Sequence, residues 1–266
     1  MNRIRVIPTL LLDRDGRLVK TIRFGKRTYI GDPINAVRIF NEKEVDELIL
    51  LDIDATLDAR TPDYARIEDI VSEAFMPVAF GGGITSVEQM ATVMRCGVEK
   101  VVLNAALHKN KDLIGEAASR FGSQSVVGSI DVKKAFFGGY IATSHSGKKR
   151  LSGIPEDIAS YLERCGVGEL IVTSMDRDGT RKGYDLPLLK GIADRVGIPV
   201  IACGGADSLE HFVEAHDIAG CTAVAAGSMF LFQSSTQGVL ISYPTRNELE
   251  TRVFSRLRCN QGLQTT

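Results

Sequence analysis

Short apolar runs alternate with longer segments of helical periodicity from one end of the chain to the other. The runs that read as strands are Arg5–Leu12, Glu47–Ile53, Pro77–Phe80, Lys100–Asn104, Val126–Asp131, Glu169–Ser174, Pro199–Cys203 and Thr222–Ala226. Helical patterns fill the gaps. Asp32-Pro33 is an N-cap followed by proline at the first helical position, and it opens a helix over Ile34–Lys43 whose apolar face is Ile34, Val37, Ile39 and Phe40. Ser86 and Ser208 each precede a helix with a glutamate two residues further on, close to capping chemistry. Eight strands with intervening helices in about 250 residues predict an α/β fold of the (βα)8 TIM-barrel type. A doubly wound sheet fits the alternation equally well, so the choice rests on an internal repeat.

Glu47-Leu48-Ile49 returns as Glu169-Leu170-Ile171 at an offset of 122 residues. Pro77-Val78, Gly82-Gly83 and Ser86-Val87-Glu88 return as Pro199-Val200, Gly204-Gly205 and Ser208-Leu209-Glu210 at the same offset, and Lys100-Val101-Val102 lines up with Ala223-Val224-Ala225 at 123. A half of about 120 residues carrying four βα units, used twice, closes into eight, and the period is too long for a solenoid. The expected organisation is one barrel domain over 1–245 and a C-terminal helix or tail over 246–266. Val253, Phe254 and Leu257 stand there at helical spacing in a polar surround.

Composition narrows the class. Among 266 residues, 32 Lys and Arg face 33 Asp and Glu, a formal net charge of −1. That balance gives no overall electrostatic footprint for nucleic acid or an anionic membrane. No apolar stretch approaches the roughly 20 residues that span a bilayer, and Met1-Asn2-Arg3-Ile4-Arg5 runs into the first strand with no secretory apolar region. The five cysteines, Cys96, Cys165, Cys203, Cys221 and Cys259, are odd in number, scattered and free of C-x-x-C spacing. They read as reduced thiols in a cytoplasmic protein. The four histidines are too dispersed to propose a metal site, and no cofactor is expected.

On a barrel, the strand C-termini carry the chemistry and the strand N-termini form the opposite, structural face. Gly81-Gly82-Gly83 follows the third strand and Gly204-Gly205 the seventh; Asn104-Ala105 ends the fourth, and Gly227-Ser228 follows the eighth. Small residues there expose backbone N–H groups that cradle phosphate oxygens beside helix N-termini. One glycine pair marks only a tight turn; two equivalent sets predict a ligand with phosphate at both ends. Thr173, Asp176 and Asp178-Gly179 cluster at the end of strand six, although Asp178-Gly179 is also a turn signal. Asp52 holds the matching place after strand two, where a carboxylate in an apolar strand needs a partner or a role. Asp131 ends strand five and is the best single candidate for a general acid or base. Its alternative role is an N-cap or an ion pair with Lys133 or Lys134. His145, in a Thr-Ser-His-Ser-Gly loop, is either catalytic or a loop residue with satisfied hydrogen bonds. At the opposite face, Arg5, Glu47, Lys100 and Glu169 begin strands one, two, four and six, so two charges of each sign are placed to meet as a ring closing the floor. A purely structural ion-pair cluster is the plain alternative.

Together these residues resemble the cyclase subunit of imidazole glycerol phosphate synthase. The resemblance covers the chain to about Thr245. It is most specific in Gly16-Arg17-Leu18-Val19-Lys20, Leu51-Asp52-Ile53, Phe80-Gly81-Gly82-Gly83-Ile84, the run Leu170 to Thr180, Gly183-Tyr184-Asp185, and Gly204-Gly205-Ala206 with Glu210-His211-Phe212. It implies a barrel whose partner glutaminase docks on the floor as a heterodimer. Ammonia then travels up the bore to attack a phosphoribulosyl-formimino aminoimidazole carboxamide ribotide, which carries a phosphate at each end. By resemblance, Arg5, Glu47, Lys100 and Glu169 match the charged gate of the ammonia channel, and Asp131 matches one of two catalytic aspartates. Lys20, Asp52, Asn104, Thr173, Asp178, Gly179, Gly204, Gly205 and Ser228 fall on substrate or phosphate contacts.

One departure changes the picture. The family's other catalytic aspartate ends strand one in a Pro-Cys-Leu-Asp pattern, whereas this chain reads Pro8-Thr9-Leu10-Leu11-Leu12-Asp13-Arg14-Asp15-Gly16. The repeat puts Leu11 opposite Asp131, so Asp13 or Asp15 substitutes only if the loop is reshaped. Thr9 for cysteine, Cys203 for serine and Ala105 for threonine are smaller departures. A kept gate with a broken pair resembles a paralogous branch found with a second glutaminase and a sugar amidotransferase, in which ammonia converts an acetamido group of a surface-polysaccharide sugar into an acetamidino group. An ordinary cyclase with a rebuilt first loop, and a non-catalytic scaffold that regulates a glutaminase, are the other two readings.

Overall fold

The computed structural model describes residues 3–108, 110, 112–233 and 238–257. Cys259 and residues 258–266 of the expected tail lie outside the described residues. The strands are β1 (Arg5–Leu12), β2 (Leu18–Thr21), β3 (Arg27–Gly31), β4 (Leu48–Asp52), β5 (Val78–Gly81), β6 (Lys100–Leu103), β7 (Val126–Lys134), β8 (Tyr140–Ser144), β9 (Lys149–Arg150), β10 (Glu169–Ser174), β11 (Val200–Cys203) and β12 (Ala223–Ala226). Eight of them, β1, β4, β5, β6, β7, β10, β11 and β12, pair in parallel in that order. β12 returns to β1, which closes a (βα)8 barrel. The principal helices are α1 (Pro33–Glu42), α2 (Tyr64–Val71), α3 (Val87–Arg95), α4 (Leu113–Phe121), α5 (Pro155–Cys165), α6 (Leu186–Ala193) and α7 (Leu209–Asp217).

Local chemistry sets these boundaries. The Asp32 side chain accepts from the Ile34 N–H at 2.7 Å with Pro33 at the first helical position. Ser86 caps α3 through the Gln89 N–H at 3.3 Å, whereas Ser208 stands at the α7 cap without a side-chain cap bond. All eight barrel strands fall on the expected runs. Val126–Asp131 continues to Lys134 because β7 leaves the barrel and pairs antiparallel with β8. In the β2–β3 and β8–β9 ribbons the apolar residues are only two or three in a row, Leu18-Val19 and Tyr140-Ile141-Ala142. β3 and β9 are mostly exposed, so the ribbons do not stand out in the sequence pattern.

Two apolar layers result. Phe40, Phe80, Phe212 and Phe230 belong to the layer between strands and helices, while Ile7, Ile49, Ala79, Val102, Val127, Ile171, Ile201 and Ala223 fill the barrel interior. Two short helices, α8 (Ser228–Leu231) and α9 (Arg246–Leu249), follow β12. Leu249, Val253, Phe254 and Leu257 are buried in the outer layer, and the Arg3 guanidinium lies 3.9 Å from the centre of the Phe254 ring. The described part of the C-terminal segment is thus packed against the barrel.

The repeat is visible in register. Thr9 pairs with Ile49 and Leu11 with Leu51 in the first half, as Ser129 pairs with Ile171 and Asp131 with Thr173 in the second. A β-carbon added to Gly82 would lie 2.5 Å from the Asp52 carbonyl oxygen, and one added to Gly204 would lie 2.7 Å from that of Ser174. These contacts are again 122 residues apart.

Candidate functional site

A cavity of about 360 Å³ opens at the C-terminal ends of the barrel strands. Period-2 alternation along the strands aims Thr9 and Leu11, Leu51, Ser129 and Asp131, Thr173 and Cys203 into it. Of the residues singled out for the chemical face, Lys20, Asp52, Gly82, Gly83, Asn104, Asp131, Thr173, Asp178, Gly179, Gly204, Gly205, Gly227 and Ser228 all line this one space. Asp176 is the exception. Its carboxylate accepts from the Lys134 backbone N–H at 2.7 Å and anchors the β7–β8 ribbon outside the cavity.

The second half of the mouth is polar. Asn104 Nδ2 donates to Asp131 Oδ2 at 2.8 Å. Burial pushes the Asp131 carboxyl up to about 7, the nearby charge of Asp178 adds to the rise, and the Asn104 amide opposes it. A carboxyl titrating there can both give and take a proton at neutral pH. Lys20, reaching over from β2, donates to Asp178 Oδ1 at 2.7 Å, and Thr21 Oγ1 donates to Asp178 Oδ2 at 2.9 Å. The aliphatic stem of Lys20 lies over Gly227, beside the loops after β11 and β12 where barrels commonly hold a phosphate. Burial raises the Cys203 thiol to about 11, so it stays protonated.

The first half is apolar at the matching depth. Leu11 and Leu51 stand where the second half has Asp131 and Thr173. Neither nearby aspartate takes the empty role. Asp13 accepts from the backbone N–H groups of Asp15 and Arg17 at 3.0 Å and pairs with the Arg17 guanidinium at 2.9 Å, closing the β1–β2 turn away from the main cavity. Burial works to raise its pKa, but the Arg17 and Asp15 bonds prevail and hold it below the usual carboxylate range. Asp15, more than half exposed, pairs with Arg17 at 2.7 Å. Asp52 shapes the turn after β4, accepting from the N–H groups of Asp54 at 3.0 Å and Ala55 at 2.9 Å, with Arg60 at 3.3 Å. Burial raises its pKa against those bonds.

Three cavity-facing cations carry no periodic signal in the sequence: Arg27, Arg60 and Arg181. Arg27 forms a bidentate pair with Asp54, 2.6 Å on each arm, and Arg181 pairs with Asp207. Arg60 and Arg181 come from loops after barrel strands, and Arg27 opens the short polar strand β3. His145 lines the cavity, its Nδ1 2.9 Å from Ser144 Oγ. Thr9 Oγ1, Asn104 Oδ1 and Arg60 Nε are buried among the cavity walls without a hydrogen-bond partner in the protein. Arg60 Nε has the Asp58 carboxylate 3.5 Å away as an ion-pair partner, so the two acceptor-capable oxygens are the groups that a polar ligand would satisfy.

At the other end of the bore the four floor charges do meet. Arg5 bonds to Glu47 and to Glu169, and Lys100 Nζ lies 2.8 Å from Glu47 Oε1 and 3.0 Å from Glu169 Oε2. Burial works against the Arg5 charge, but the two carboxylates hold its pKa above the usual guanidinium value. The ring is closed and neutral, and the apolar interior of the barrel lies directly above it. Among the described residues no group of His, Cys, Asp and Glu is arranged to hold a metal ion.

Comparison with known proteins places this geometry. The histidine biosynthesis protein family matches residues 5–236. A Pseudomonas aeruginosa protein, provisionally named imidazole glycerol phosphate synthase subunit hisF2, is 50% identical over 250 residues, covering 94% of this chain and 99% of that relative. A Leptospira borgpetersenii protein, provisionally named imidazole glycerol phosphate synthase subunit HisF, is 44% identical over 251 residues, 94% of this chain and 98% of its own. The imidazole glycerol phosphate synthase subunit HisF of Prosthecochloris aestuarii is 42% identical over 229 residues, 86% and 90% of the two chains. A closed barrel with this mouth, this floor and these relatives belongs to the histidine biosynthesis family, among the HisF-type cyclase subunits of imidazole glycerol phosphate synthase.

Proposed function

We propose that this chain is the synthase subunit of a glutamine amidotransferase. It accepts ammonia from a glutaminase docked on the floor and delivers it through the bore to the chemical face. Within that family it acts as a diverged paralogue, whose ammonia serves acetamidino-sugar formation in surface polysaccharide, together with a sugar amidotransferase, rather than imidazole ring closure. The observation that carries this reading is Leu11. Ring closure by paired acid and base needs a carboxylate on each side of the mouth, and here Asp131 has no counterpart while Asp13 and Asp15 are committed to Arg17. Loss of one such partner typically costs 10²–10⁴-fold. The Pseudomonas aeruginosa relative, whose name hisF2 carries a copy number, supports the assignment to a paralogous branch.

The residues kept around Asp131 favour the second reading, an ordinary cyclase. Asn104, Lys20, Asp178 and both glycine turns still frame the cavity, and they suit a ligand with a phosphate at each end. The test is ammonia-dependent turnover of the phosphoribulosyl-formimino substrate at saturating ammonium. Turnover near that of a family member with both aspartates overturns the paralogue reading and returns the chain to histidine biosynthesis. Absence of turnover in the native chain and in Leu11→Asp supports an acceptor held elsewhere. A gain of about 10²-fold or more in Leu11→Asp would trace the loss to that one side chain.

A further inference from the structure

The β7–β8 hairpin joins exposed aromatic side chains to a run of basic ones. Between Val132 and Pro155 the sequence has five basic residues, Lys133, Lys134, Lys148, Lys149 and Arg150, and no acidic one, in a chain of net charge −1. At the hairpin tip Phe136 and Phe137 are 95% and 96% exposed, their rings edge to face at 5.1 Å. The turn holds them outward. Gly138 and Gly139 have φ of +94° and +76°, and a β-carbon on either would meet nothing within 4 Å. The Gly138 N–H donates to the Ala135 carbonyl at 3.2 Å, and that of Ala135 to Gly139 at 3.0 Å. Register puts charge on both faces of the ribbon: Arg150 lies across from Thr143 and so shares the face of Asp131 and Lys133, while Lys149 lies across from Ser144. Of the five cations only Lys134 has an ion pair among the described residues, with Asp185 at 3.7 Å.

We propose that this hairpin is a docking element for an anionic lipid surface, with Phe136 and Phe137 entering the headgroup–acyl boundary and Lys133, Lys148, Lys149 and Arg150 meeting lipid phosphates. Two phenylalanines on a convex tip cover about 400 Å² at most, roughly half of what one partner contributes to a specific protein interface. The same tip suffices to enter a bilayer interface, where apolar insertion and basic attraction reinforce each other. The element sits at the chemical end of the barrel, so binding would hold the cavity mouth toward the lipid. This inference stands apart from the identity of the ammonia acceptor, because neither phenylalanine nor any of the four cations lines the cavity.

The experiment is co-sedimentation of the full chain with large unilamellar vesicles of phosphatidylcholine alone and of phosphatidylcholine with about 30% phosphatidylglycerol, at about 0.1 M salt. The expected result is at least tenfold tighter binding to the anionic vesicles, falling about tenfold in the Phe136→Ser/Phe137→Ser variant and lost in Lys148→Glu/Lys149→Glu. Circular dichroism of both variants, expected to match that of the native chain, separates docking from folding. Equal binding to neutral and anionic vesicles, no sedimentation with either, or native-level binding by the Phe136→Ser/Phe137→Ser variant would each overturn the proposal. The no-sedimentation outcome would leave the tip to a protein partner.

Discussion

Asp131 is held where burial and proton chemistry pull against each other. Its folded-state value, about 7, lies above the ordinary 3.8, so the unfolded chain releases this proton first. The residue therefore costs no stability below about pH 4, lowers it progressively as pH rises toward 7, and levels off beyond. The penalty is bounded at about 4 kcal/mol. Asp131→Asn, which keeps the shape and removes the charge, should raise the melting temperature at about pH 8 and leave it nearly unchanged at about pH 4. An equal shift at both values would show that the carboxyl is not strained by burial. The opposing position was legible in the sequence: period 2 fixes which residues of β1 face inward, and the repeat pairs Leu11 with Asp131. The fate of Asp13 was not, because whether a carboxylate after the strand folds inward or closes its own turn depends on Arg17, which the strand pattern does not encode.

At the scale of elements, the glycine turns join packing to the candidate phosphate cradles. Gly82 has φ +129°, and its added β-carbon would fall 2.5 Å from the Asp52 carbonyl. Gly82→Ala should therefore cost about 1–3 kcal/mol from the backbone alone. It should also shrink the stabilisation given by inorganic phosphate by about half, since the Gly204-Gly205 turn remains. Thermal melts with and without phosphate check both, and an unaltered phosphate effect would confine these glycines to packing. The barrel strands were readable because burial on both faces leaves near-continuous apolar runs. The ribbons are illegible for the opposite reason: β3 and β9 are mostly exposed, with little for a hydrophobic pattern to register. The local excess of basic residues around Phe136-Phe137 was equally present in the sequence, but a net charge summed over the whole chain conceals it.

Over the whole molecule, the cavity and the floor ring are separated by the length of the bore. The floor ring balances two carboxylates with two cations, and Glu47 and Glu169 are almost fully buried. Removing Lys100 leaves both sharing Arg5 alone. In a complex with the proposed glutaminase, Lys100→Ala should leave the barrel folded and glutamate release intact while ammonium escapes to bulk solvent. Unchanged retention of ammonium would sink the gate assignment. The ring could be proposed from sequence only because each member begins or immediately precedes a barrel strand; that all four close on one another is a property of barrel curvature.

Doubling has a further consequence. Each half carries its own register and its own glycine turn, set 122 residues from the other. An exchange such as Leu for a carboxylate at one pole therefore leaves the register of the opposite pole, and the apolar bore beneath both, in place. Such a frame is evolvable by halves: one side of the mouth can drift toward new chemistry while the other keeps its architecture.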